Sequence, residues 1–87
     1  MIVERFNPGA AVAIYRRFRD AGRQLPPGLE YVDSWVDLDC ATCFQLMRTS
    51  DPATVDTWMR AWSDLATFQI FAVQTSADAA HGIAGKL

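Results

Sequence analysis

The chain has 87 residues, 51% of them hydrophobic and 21% charged, with a formal net charge of −2. That size and balance suit one small globular domain rather than a disordered chain. The slight negative charge argues against broad capture of nucleic acid or an anionic membrane, and no segment reaches the ~20 apolar residues of a membrane span.

Ile2 to Phe6 reads as a short strand, and the N-terminus, Met-Ile-Val-Glu-Arg-Phe, lacks the basic region and long apolar run expected of a signal peptide. A cytoplasmic location is expected. Asn7 suits an N-cap and Pro8 the first helical position, where its missing N–H costs nothing. Ala11, Ile14, Tyr15, Phe18, Ala21 and Leu25 then recur at helical spacing, predicting a helix to about Gln24. Pro26-Pro27-Gly28 stops it. Two alternating runs, Leu29 to Asp37 and Thr42 to Thr49, predict a hairpin.

Asp51-Pro52 repeats the cap-then-proline signal, and Val55, Trp58, Met59, Trp62 and Leu65 mark the apolar face of a second helix. Phe68 to Thr75 reads as the last strand. Residues 1–76 are thus expected to form one βαββαβ unit, and 77–87 a tail with one short helical turn and then a flexible end. The fold class is α+β and ferredoxin-like: a four-stranded antiparallel sheet with both helices on one face.

The strands are apolar at both parities, although the chain supplies helices for only one face. The purely apolar set, Val32, Val36, Phe44 and Leu46, is assigned to the helix side. Tyr31, Asp33, Trp35, Cys43, Gln45 and Met47 are then expected on the open face, as walls and polar contacts of a ligand space. A bare patch of that kind marks an interaction site, and a second copy of the chain is the expected cover. Glu4 and Arg5 are adjacent on the first strand, so one of them faces each side. Glu4 and Asp33 are the candidate catalytic carboxylates, as acids whose pKa rises on desolvation.

The segments Glu4-Arg5-Phe6, Gly22-Arg23-Gln24-Leu25-Pro26, Gly28-Leu29-Glu30-Tyr31-Val32 and Ser34-Trp35-Val36-Asp37 form one distinctive set, with Cys43-Phe44-Gln45-Leu46-Met47, Asp51-Pro52 and Trp62-Ser63-Asp64-Leu65. Together they resemble a bacterial family known as domain of unknown function 3303. The resemblance runs from Ile2 to about Ala80. It implies a dimeric α/β barrel, in which two ferredoxin-like sheets pack face to face. The wider superfamily includes cofactor-free monooxygenases, lactone isomerases, haem-degrading enzymes and stress-induced proteins, and it leaves the chemistry of this chain open.

Cys40-Ala-Thr-Cys43 spans a turn and a strand start, without the further ligands of a zinc site or the helix N-terminus of a redox motif. Cys43 is expected as a small buried hydrophobe and Cys40 as a turn thiol. The one histidine, His81, lies in the tail, which argues against Ser-His-Asp chemistry, histidine-ligated haem and histidine-rich metal sites. No metal and no cofactor are expected. Arg16, Arg19 and Arg23, with Arg17 beside them, are read as a solvated helix stripe answering Glu30, Asp33, Asp37 and Asp39. Trp58 and Trp62 are read as core, and Trp35 as a pocket wall. RNA binding shares the βαββαβ order but would need base-stacking aromatics where Cys43, Gln45 and Met47 stand. The leading expectation is a homodimer that binds a small molecule in the space lined by the open sheet face. The alternative is a cofactor-independent monooxygenase-like or isomerase-type enzyme using an inward carboxylate.

Overall fold

Alternating strand and helix signals resolve into the expected order in the computed structural model, which describes residues 1–87. Strand β1 (Ile2–Phe6) is followed by helix α1 (Ala11–Ala21), strands β2 (Glu30–Val36) and β3 (Thr42–Arg48), helix α2 (Ala53–Arg60) and strand β4 (Ala66–Ile70). A third helix, α3 (Ser76–Ile83), closes the chain with one 3-10 turn over Ala84–Lys86. The four strands form one antiparallel sheet in the order β2-β3-β1-β4, as a ferredoxin-like fold requires.

Helix ends depart from the simple cap reading in one place. Asn7, Pro8 and Gly9 form a separate turn, with Gly9 at φ +75°, and α1 begins only at Ala11. The Asn7 side chain donates from Nδ2 to the Asp64 carbonyl at 3.1 Å, tying β1 to the end of the α2 segment instead of capping α1. At α2 the expectation holds: Asp51 Oδ1 accepts from the Ala53 N–H at 3.0 Å. Helix α1 ends at Ala21, so Arg23 lies in the following loop and not on the helix stripe. Arg17 makes two bonds to the Asp64 carboxylate, at 2.9 and 2.7 Å, and a third to the Ala61 carbonyl at 3.0 Å, strapping α1 to the end of α2. Arg19 pairs with Asp20 and Arg48 with Glu30, so only Glu30 of the expected acidic run answers an arginine by an ion pair.

Both helices pack on one face of the sheet. Their shared core joins Ile2 and Leu29 to Ala10, Ile14, Val55, Trp58 and Trp62, with Phe6, Met47 and Phe68 packed against it. Trp58 meets Phe68 edge to face at 5.4 Å between ring centroids. Cross-strand partners share a face, so the registers Glu4↔Cys43↔Val36 and Ile2↔Gln45↔Ser34 place Glu4, Cys43, Gln45 and Ser34 on the helix side. The registers Val3↔Phe44↔Trp35 and Asp33↔Leu46 place those residues, with Arg5, on the open side.

This corrects the face assignment. Phe44 and Leu46 belong to the open face, whereas Cys43, Gln45 and Met47 belong under the helices. In β2 the cause is a β-bulge: Tyr31 opposes Met47 and Asp33 opposes Leu46, leaving Val32 as the extra residue. Side chains before and after it are therefore out of phase. Tyr31 shares a face with Ser34 and its hydroxyl lies 2.7 Å from Ser34 Oγ, while Asp33 and Trp35 turn outward.

Strand β4 is shorter than expected, and its last residues, 71–75, leave the sheet after Phe71 exchanges two bonds with Met1. Helix α3 runs for eight residues where a single turn was expected, with Thr75 Oγ1 accepting from the Asp78 N–H at its start. Every residue from Gln69 to Leu87 is exposed, His81 among them. No helix is long and apolar enough to cross a membrane.

Candidate functional site

The helix-covered face is not sealed. Between it and the helices lies a half-open cavity of about 170 Å³. Its floor is the sheet, through Glu4, Phe6, Ser34, Val36, Cys43 and Gln45, and its roof is Ile14, Tyr15 and Phe18 of α1 with Trp58 and Trp62. Tyr15 and Phe18 sit on the apolar stripe of α1 and border the cavity, yet remain 45% and 41% exposed. Tyr15 meets Phe6 edge to face at 6.4 Å.

Arg23 closes one side. Its carbonyl accepts from both indoles, Trp58 Nε1 at 2.9 Å and Trp62 Nε1 at 3.1 Å. Its guanidinium carbon lies 3.6 Å from the Tyr31 ring centroid and 4.9 Å from that of Phe18, so the cation is stacked between two aromatic faces. The loop reaches this position through two residues with positive φ, Gly22 at +69° and Gln24 at +59°.

A polar chain crosses the cavity floor. Arg23 Nη1 donates to Gln45 Oε1 at 3.3 Å, and Gln45 Nε2 donates to Glu4 Oε1 at 3.0 Å. Glu4 and Gln45 are both 4% exposed and are the buried polar side chains of the protein. Burial pushes the Glu4 carboxyl up to about 6, against the opposing pull of the Gln45 bond and the Arg23 charge. The second Glu4 oxygen accepts no bond from the protein. Burial, and then the Glu4 charge, push the Cys43 thiol up to about 11, which keeps it a neutral, inert wall. Cys40 is exposed in its turn at φ +52°, so the two cysteines take the places expected of them.

The residues named from sequence are divided by the sheet. Glu4, Cys43 and Gln45 line the cavity, Tyr31 supports it by stacking on Arg23, and Met47 joins the adjoining core. Asp33 and Trp35 lie on the other face, where Asp33 Oδ1 accepts from the Ser34 N–H and Trp35 is 53% exposed. Tyr15, Phe18 and Arg23 were not named as lining residues. The sequence signals for them, aromatic positions at helical spacing and an arginine at i+4 from Arg19, read equally well as two ordinary faces of a helix. No cluster of three or more His, Cys, Asp or Glu side chains is placed to hold a metal ion.

Fold and site together define a small ferredoxin-like α+β protein with a cavity of ligand size between sheet and helices. The chain belongs to the family Domain of unknown function (DUF3303), whose profile matches residues 1–87. No curated protein and no solved structure matches it.

Proposed function

We propose that this protein is a small-molecule-binding α+β barrel subunit. It takes one ring-sized ligand between its sheet and helices and pairs with a second copy through the open face. The observation that carries the binding reading is the aromatic cavity with a buried carboxyl on its floor and one oxygen of that carboxyl unbonded. An engineered apolar cavity of about 150 Å³ holds benzene, so a space of about 170 Å³ suits one ring with a small substituent. Apolar walls with a few convergent polar groups are the usual make-up of a ligand site.

The test is a screen of single-ring fragments against isotope-labelled protein, read at the three indole N–H resonances. Trp58 and Trp62 should shift together while Trp35, on the far side of the sheet, stays still. Fragments that move only Trp35 would sink the cavity reading.

Pairing is supported by the open face, where Trp35 and Phe44 are 53% and 39% exposed beside Leu46 and Val3. Arg5 and Asp33 stand on the same face, so an isologous pair can set the arginine of one copy against the aspartate of the other. Light scattering should give twice the 9.7 kDa chain mass at micromolar concentration.

A second reading, enzymatic proton transfer, is favoured by Glu4 specifically. A carboxyl raised to about 6 can both donate and accept a proton near neutrality. Asp33, hydrogen-bonded to backbone on the opposite face, is not the partner for that chemistry.

A further inference from the structure

Charge bookkeeping inside the cavity narrows the ligand. Arg23 is the cation that borders it, and Arg23 forms no ion pair, whereas Arg17, Arg19 and Arg48 each do. A guanidinium has five N–H donors in a planar fork suited to a carboxylate. One of its nitrogens serves Gln45, and stacking on Tyr31 and Phe18 fixes its plane. Glu4 is the one carboxyl in the same space.

Gln45 sets the proton's place. Its amide oxygen faces the Arg23 cation, so its NH2 must face Glu4, and Glu4 Oε1 is committed as an acceptor. A proton on Glu4 therefore sits on Oε2, the oxygen the protein leaves unbonded.

Resting on the small-molecule reading above, we propose that the cavity binds a small aromatic monocarboxylate anchored by Arg23, and that binding takes up one proton onto Glu4 Oε2. One cation cannot balance two anions in a desolvated space, so an incoming carboxylate drives Glu4 to its neutral form. The proton comes from solvent. The acid then becomes a donor toward the ligand instead of a repelling charge.

The other groups facing Glu4 do not compete for this role. Tyr15 of α1 and Cys43 of β3 are both pushed up by burial and stay neutral, Ser34 of β2 is uncharged, and α2 and its end present Trp58 and Trp62.

The experiment is calorimetry on the full chain with benzoate, and with benzamide as the neutral isostere, in pairs of buffers that differ in ionisation heat. Benzoate should bind with uptake of about one proton near pH 7.5, and its affinity should fall about tenfold per pH unit above that. Glu4→Gln should bind benzoate with no proton uptake and a flat pH profile, and Arg23→Gln should lose the preference for benzoate over benzamide. Benzoate binding without proton uptake, or benzamide binding equally well, overturns the proposal and leaves the pocket standing. If no fragment moves the Trp58 and Trp62 indoles, the pocket reading itself has failed. The wild-type measurement needs no variant, so the proposal remains open to refutation even if Arg23→Gln does not fold.

Discussion

The two faces of this sheet invert the usual distribution of polarity. The covered face buries a carboxyl, an amide and a thiol, while the uncovered one displays Trp35 and Phe44 with the half-buried Leu46 beside them. Buried polar groups cost free energy unless paired, and a stable core gains little from them. Their presence under the helices is what the proposed ligand site would use. Apolar side chains left bare mark the other side as a place where something apolar is met. One sheet thus separates the two proposed sites, with Trp58 and Trp62 on one side and Trp35 on the other.

Substitutions sharpen that contrast, beginning with the tryptophans. Trp58 is 2% exposed and holds the Arg23 carbonyl, so Trp58→Ala should cost about 3–5 kcal/mol in urea unfolding, a large share of the stability of a domain of this size. A loss below about 1 kcal/mol would contradict the packed side of the picture.

Trp35→Glu should leave the monomer folded and raise the dimer dissociation constant about 100-fold, the effect of losing a central interface aromatic. Dilution followed by light scattering reads it, and an unchanged mass would remove the open face from the interface.

The third effect is smaller and depends on pH. Because folding raises the Glu4 pKa from 4.5 to about 6, its contribution to stability is full below about pH 4.5 and is lost as pH rises through about 6. Glu4→Gln should therefore match the wild type at pH 4 and be more stable at pH 8, by about 1 kcal/mol once solvent reaching the free oxygen is allowed for. Thermal melts across that range check the sign. A variant less stable at pH 8 would mean that the ionised carboxylate is held more firmly than its burial implies.

The smallest perturbation is chemical labelling. Cys40 should react with a thiol reagent in the native protein and Cys43 only on unfolding.

Element order was legible in the sequence because period, caps and turns are local signals. Ile14, Trp58 and Trp62 announced the core, and Asp51 its cap, through spacing alone. Sidedness was not legible, for two physical reasons. The Val32 bulge reverses the parity of β2 midway, and no residue type near it betrays an unpaired position. In β3, apolarity is a guide to burial only where the covered face is solid. Here the space under α1 is open, so Gln45 and Cys43 take the covered positions and Phe44 the bare one. Glu4 was named from its strand position, but the chain linking it to Arg23 joins residues 4, 45 and 23, which no local pattern connects.

The Arg23 carbonyl, held by two indoles at once, has a consequence for the proposed ligand site. Displacing the loop would strip hydrogen bonds from two core tryptophans together, so the guanidinium is preorganised and little conformational entropy remains to be lost when it is engaged. Tyr15 and Phe18 of α1 stand opposite as exposed aromatic walls, Tyr15 resting on Phe6 and Phe18 on the Arg23 guanidinium. The charged wall of the cavity is thus anchored from two sides, by the indoles at its backbone and by the Tyr31 and Phe18 rings at its side chain.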